Sequence, residues 1–164
     1  WLTQALLDAV YPSRLFLING IRPDRLSWRE GATAWIHEQL RKEWFADNPV
    51  VERQGDHGTL PSRRTSTLDY RETVSTLLEL YWELAANHRI LLAPTGSKMQ
   101  AVGCFFTKAM HPDIHVEYPT PSSFFSLYSQ GISDLWITDF GPLKDLVSQL
   151  AETDRDLHLG LGAH

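Results

Sequence analysis

Arg89-Ile90-Leu91-Leu92-Ala93-Pro94-Thr95-Gly96-Ser97-Lys98-Met99-Gln100 is the stretch on which the reading of this chain turns. An apolar strand runs into a turn of small residues, and a helix leaves that turn with a lysine at its start. A helix N-terminus carries partial positive charge, so Lys98 is poorly placed unless an anion faces it. Phosphate is the natural anion, because the N–H groups of a first helical turn have no partner within the helix. Gly96 can adopt φ > 0 and let a phosphate approach the backbone. Thr95 and Ser97 supply hydroxyl groups, and Lys98 supplies a point charge. The competing reading makes Ser97 a plain helix cap and Lys98 a solvated side chain.

Outward from this turn, the chain alternates between two periodicities. Thr3 to Val10 reads as a helix end, and Arg14 to Gly20 as a short apolar strand of the kind buried on both faces. Ser27 to Phe45 reads as a helix whose core stripe is Ala32, Trp35, Ile36 and Leu40. Val50-Val51-Glu52 is a candidate strand. Residues 53–66 read as a polar loop holding Arg53, His57, Arg63 and Arg64, a candidate lid over phosphates. A helix starts at Asp69, with Glu72 placed as in a capping box. Leu77, Leu78, Tyr81, Leu84 and Ala85 make its stripe. After the strand at Ile90 comes a helix over 97–110, then candidate strands at 114–118 and 135–138. Leu143, Leu146, Val147 and Leu150 mark a last helix, and residues 160–164 read as a frayed tail.

Strands alternating with helices of this length need crossover connections, which gives a parallel sheet with helices on both faces. The expected fold class is therefore α/β, a Rossmann-like three-layer sandwich with a mainly parallel sheet. It forms one domain over residues 1–164, and because the chain opens on Trp1 it reads as a piece of a longer protein. In such sheets ligands sit beyond the C-terminal strand ends. Those ends are Asn19-Gly20, the Thr95–Lys98 turn, Tyr118-Pro119-Thr120-Pro121 and Thr138-Asp139. The expected ligand-binding set is thus Thr95, Gly96, Ser97 and Lys98, followed by Asn19 and Thr120. Phe124, Phe125 or Tyr128 would stack on a base, with Ser129 or Gln130 bonding its edge; the alternative buries both phenylalanines.

Composition narrows the function classes. The chain has 164 residues, 43% of them hydrophobic and 21% charged, which suits an ordinary globular domain. A net charge of −5 argues against general nucleic-acid binding. No apolar run reaches the roughly 20 residues of a membrane helix, and no signal-peptide pattern is present, so the expected location is cytoplasmic and away from membranes. The lone Cys104 forms no internal disulfide and lies among Val102, Phe105 and Phe106 as a small buried hydrophobe. Neither a Walker A loop nor a G-x-G-x-x-G fingerprint occurs, and no G-x-S-x-G elbow. His111 and His115 stand four apart with Pro112 between them, which breaks any helical metal pair. No cofactor or metal is implied. Asp139 at a strand end is the one acid placed as a base or ribose acceptor.

The strand, the Thr95-Gly96-Ser97-Lys98 turn and the helix after it resemble the ligand-binding turn of CARF domains. These are Rossmann-like sensors of cyclic oligoadenylates in CRISPR-linked and related antiphage systems, whose usual run is Gly-Gly-Thr-Lys. The resemblance spans the strand–helix order from about residue 14 to residue 140. It implies that Gly96, Ser97 and Lys98 contact a phosphate or ribose, and that a homodimer builds the full site. It also implies an antiviral-defence setting, and that some members cleave their ligand without a metal. Thr95-Gly96-Ser97 is also similar to the phosphate turn of sugar-phosphate isomerases and deaminases, which place no lysine next. The reading that results is a sensor-type domain for a nucleotide, a cyclic oligonucleotide or another phosphorylated small molecule. The alternatives are an enzyme acting on a nucleotide or sugar phosphate, and a non-catalytic protein-interaction domain.

Overall fold

A computed structural model describes residues 2–22, 28–47, 62–118 and 135–161. Five helices and four short strands occur in them: α1 (Leu2–Val10), β1 (Leu17–Ile21), α2 (Trp28–Asp47), β2 (Ser62–Ser66), α3 (Tyr70–Leu84), β3 (Leu91–Leu92), α4 (Lys98–Met110), β4 (His115–Val116) and α5 (Leu143–Leu161). The strands pair in two parallel ladders. Leu17 to Ile21 run beside Ser62 to Ser66, and Leu91-Leu92 beside His115-Val116. The protein is thus mixed helix and strand with small parallel sheets, as crossover connections through α2 and α4 require.

β2 overturns the reading of residues 53–66 as one polar loop, since residues 62–66 pair with β1. Ser-Arg-Arg-Thr-Ser has no apolar face to announce a strand. Its buried end is held instead by polar partners. Thr65 Oγ1 accepts from Gln100 Nε2 at 3.0 Å, and the Ser66 N–H donates to Glu72 Oε2 at 2.7 Å. The candidate strand at 50–52 and the lid residues Arg53 and His57 lie outside the described residues.

Helix α3 sits at the centre, with Tyr70, Thr73, Val74, Leu77, Leu78, Leu80 and Leu84 all buried. Tyr70, Val74 and Leu78 form the core with Leu146 and Leu150 of α5, and Met99, Val102, Phe106 and Met110 of α4 pack against them. The spacing of these residues puts one stripe of each helix inward. Helices α3 and α4 run side by side in the same direction. Thr73 lies against Gly103 near their starts, and the Tyr81 ring lies 3.8 Å from that of His111 at their ends.

Two expectations for apolar residues change. Trp35 and Ile36, assigned to the α2 core stripe, are exposed. Residues 135–138 carry no regular structure, and Leu135, Trp136 and Ile137 are 83%, 57% and 86% exposed. In α5 the inward residues are Leu146 and Leu150, while Leu143 and Val147 face solvent. The helix also runs on through Gly160 into the stretch expected to fray. None of the described helices is long and apolar enough to cross a membrane.

Cys104 is buried as expected, and burial pushes its thiol from the ordinary 9.0 up to about 11. A thiol protonated at neutral pH is a poor nucleophile. We expect alkylation of the native protein at pH 8 to be far slower than that of the unfolded chain, as measured by mass spectrometry with and without denaturant. The raised value also fixes the sign of its pH dependence: the contribution to stability is intact below about 9 and is lost as pH rises towards about 11. Equal labelling rates in native and denaturing buffer would show that the helix does not bury this side chain.

Candidate functional site

Ser97 closes the turn as the N-cap of α4, and the cap is reciprocal. Its Oγ accepts from the Gln100 N–H at 3.2 Å, and its own N–H donates to Gln100 Oε1 at 2.8 Å. The capping reading of Ser97 therefore holds. It does not exhaust the residue, because a hydroxyl that accepts still has its O–H to donate. Just upstream, the Thr95 N–H bonds the Ala93 carbonyl at 2.9 Å, a three-residue turn around Pro94.

Gly96 is required for a reason different from the one expected. Its φ lies outside the positive region. A Cβ there would stand 2.2 Å from Gln100 Oε1, so the glycine makes room for the carboxamide. Gly20, at the end of β1, plays the same part, since a Cβ on it would fall 2.8 Å from that oxygen and 2.8 Å from Thr67 Cγ2. The Gln100 side chain is thus the meeting point of three segments. It caps α4, bonds Thr65 of β2, and is flanked by the ends of β1 and of the β3–α4 turn. This gathers the C-terminal ends of β1 and β2 and the N-terminus of α4 at one edge.

Of the expected site residues, Thr95, Gly96 and Lys98 are exposed on that edge, with Ser97 half-buried between them. Lys98 takes no hydrogen-bond or ion-pair partner among the described residues. The N–H groups of Lys98 and Met99, the first two of the helix, are likewise unclaimed there. Asn19 lies one residue before Gly20 on β1, and its Oδ1 is buried without a partner. Its neighbour across the ladder is Arg64. Thr120 and the aromatic stretch 122–131 fall outside the described residues. Asp139 is exposed, and its carboxylate accepts the Gly141 N–H at 2.8 Å, a local turn rather than a proton-transfer arrangement.

Gln100 itself is absent from the expected set, although Ser97-x-x-Gln100 is a legible capping signal. Its second bond, to Thr65, is not legible, because it joins residues 35 apart. Beside the site, the start of α3 is tied to β2. Ser66 Oγ accepts from the N–H groups of Leu68 and Asp69 at 3.0 and 3.2 Å. Asp69 caps the helix, as its Oδ1 takes the Arg71 N–H at 2.9 Å, but Glu72 reaches back to Ser66 and not to Asp69.

A second polar cluster lies at the far ends of α3 and α4. Asp154 Oδ1 of α5 accepts from Trp82 Nε1 at 2.9 Å and contacts His111 Nε2 at 3.0 Å. His158 stacks on Trp82, with ring centroids 3.9 Å apart. The Tyr81 hydroxyl reaches both Asp113 oxygens, and its pKa is raised by burial first and by that carboxylate second. His115 Nε2 lies 3.2 Å from Glu117 Oε2. Among the described residues no group of three or more His, Cys, Asp or Glu side chains could hold a metal ion. This cluster fastens the three helices together. Comparison of the chain with protein-family models, with curated proteins and with solved structures finds no match.

Proposed function

We propose that this chain is a sensor-type domain that binds a nucleotide or another phosphorylated small molecule, in the manner implied by its CARF-like turn. The observation that carries the reading is the start of α4. An exposed lysine and two N–H groups, all without partners among the described residues, stand where the ends of β1, β2 and the β3–α4 turn converge. Like charge at a helix N-terminus costs stability unless an anion offsets it. A phosphate there would take the Lys98 and Met99 N–H groups, the Ser97 O–H and the Lys98 ammonium together.

The same convergence supports a finer fold assignment. We read the two separate two-stranded ladders as parts of one sheet, a reading supported by Gln100, which ties the start of α4, the helix between β3 and β4, to the ends of β1 and β2. That is the Rossmann-like three-layer arrangement, in which the α4 N-terminus lies at the ligand-binding edge. A homodimer, with a cyclic oligonucleotide across its axis, is the assembly that fits the resemblance.

A thermal-shift screen with ADP, a cyclic oligoadenylate and a sugar phosphate tests this directly. A ligand at 100 times its Kd adds about 2.7 kcal/mol, or several degrees in Tm for a chain of this size. Lys98→Ala should weaken such binding at least about tenfold, since a hydrogen bond to a charged group contributes about 1.5–3 kcal/mol. No shift from any of the three ligands would sink the proposal. Binding that ignores the Lys98→Ala change would move the site elsewhere.

A further inference from the structure

Six large apolar side chains stand open on one side of the molecule. Leu135 and Ile137 are 83% and 86% exposed, Trp136 57%, Leu143 72%, Val147 56% and Phe105 64%. They form one surface rather than scattered spots. The stretch 135–140 runs along α4, where Thr138 Oγ1 reaches Met99 Sδ at 4.0 Å and the Phe140 ring lies 6.0 Å from that of Phe106. Phe105 continues the surface, with its ring 5.5 Å from that of Phe106. Past Gly141, Leu143 and Val147 sit one turn apart at the start of α5, beside the inward Leu146. The apolar stripe of α5 is therefore wider than the part that the core covers.

The size of this surface decides what fits it. An open aliphatic side chain presents about 100 Å² and an aromatic one about 150–250 Å². Six of them at these exposures offer on the order of 600–800 Å². The largest apolar patch on an ordinary monomer is about 300–600 Å². Each partner in a stable interface contributes about 600–1,000 Å². The surface thus exceeds what a lone chain ordinarily leaves in water and matches one half of a dimer. Its rim carries both signs, since Asp139, Lys144 and Asp145 are all exposed beside it. A two-fold axis through the surface can set Lys144 of each copy against the acids of the other, so one patch complements itself. An anionic lipid surface fits less well, because the chain carries a net charge of −5.

We propose that Leu135, Trp136, Ile137, Leu143, Val147 and Phe105 form the face on which a second copy of this chain docks about a two-fold axis. This gives the homodimer named above a definite face. The face rests on exposed apolar area and not on ligand binding at Lys98.

Sedimentation equilibrium of the chain without ligand tests this. Between about 1 and 100 μM the mass should rise towards twice the 18.7 kDa of one chain, and Tm should rise with it. Ile137→Lys and Leu143→Lys place a charge in the face from two different segments. Each should weaken association at least about tenfold, because the interface would have to bury an unpaired ammonium. In dilute solution each should leave Tm within about 2 °C of wild type, because both side chains project into solvent. A wild type that stays monomeric throughout would overturn the proposal. Unchanged association in both variants would place the interface elsewhere and reject this face. A large fall in Tm of the dilute variants, or their failure to fold, would show that the chain covers these side chains itself, and would also reject it. Ligand titrations read the anion site separately: a dimer that binds no phosphate leaves this face standing, and a monomer that binds phosphate leaves only that site.

Discussion

Replacing Gln100 with alanine should cost the protein about 2–4 kcal/mol, the largest effect expected of any substitution at the strand edge. The loss has two parts. The half of the capping box in which Gln100 Oε1 accepts the Ser97 N–H disappears, while Ser97 Oγ keeps the backbone N–H of residue 100, so this part costs about 0.5–1.5 kcal/mol. Thr65 Oγ1, on a residue with 0% exposure, loses the Gln100 amide that bonds it, and an unsatisfied buried hydroxyl costs about 1–3 kcal/mol. The two parts are separable. Thr65→Val removes only the second, so it should cost less, and the double variant Gln100→Ala/Thr65→Val should fall short of the sum because both changes break one bond. Urea denaturation of the four proteins measures this directly. Full additivity would show that the Gln100–Thr65 bond contributes nothing, and would remove the tie between β2 and α4 on which the convergence of the site depends. Gly96→Ala and Gly20→Ala press on the same carboxamide, so each should reproduce part of the Gln100→Ala loss.

The second large effect is expected at Gly103, where α3 and α4 touch. A Cβ at this position would stand 2.7 Å from Thr73 Cβ, 2.8 Å from Thr73 Cγ2 and 3.1 Å from the Tyr70 carbonyl oxygen. None of these atoms is the loose end of a side chain, so relief requires the helices to separate. Tyr70, Val74 and Leu78 would then lose contact with Met99, Val102 and Phe106. Overpacking of this kind costs about 1–3 kcal/mol and occasionally more. Alanine regains about 1 kcal/mol of helix propensity over glycine, which offsets part of that. We expect a net loss of about 2 kcal/mol for Gly103→Ala, or about 4–8 °C in Tm. Gly31 in α2 is the control: a Cβ there meets nothing within 4 Å. Gly31→Ala should therefore raise stability by several tenths of a kcal/mol to about 1 kcal/mol. If Gly103→Ala behaves like Gly31→Ala, the close approach of α3 and α4 is wrong.

These two positions bear differently on function. Gly103 is a packing residue, and its variants should lower Tm without a specific effect on ligand affinity where the protein remains folded. Gln100 holds the turn that carries Lys98, so its loss should weaken stability and, with it, the phosphate binding we propose there. The distal cluster of Trp82, His111, Asp154 and His158 fastens α5 across the ends of α3 and α4. It lies at the opposite end of those helices from the site and is read as structural support.

What the sequence alone determined is the part of the protein governed by local pattern. The helices after Asp69 and Ser97 start where their capping residues stand, because a cap is a contact within three or four residues. The apolar run ahead of Asn19-Gly20 made β1 legible, and the 89–100 stretch correctly placed a strand, a turn and a helix in that order. Parallel pairing followed from crossover length. The tertiary structure alone decided the rest, because those decisions rest on contacts between distant residues. β2 has no apolar period and exists through Thr65 and Ser66 bonding Gln100 and Glu72. Trp35 and Ile36 fit a helical stripe but face solvent, since periodicity marks a face without saying what covers it. Leu135 to Thr138 has strong strand propensity, yet it takes no ladder partner among the described residues, and propensity without a partner edge makes no strand. Gly96 was legible as necessary, but the reason is the Gln100 carboxamide beside it and not a left-handed backbone. The turn that carries Lys98 was therefore readable from local chemistry. Its joining to β1 and β2 was not, because hydrogen bonds and packing across some 30 to 80 residues of chain leave no periodic trace in a sequence.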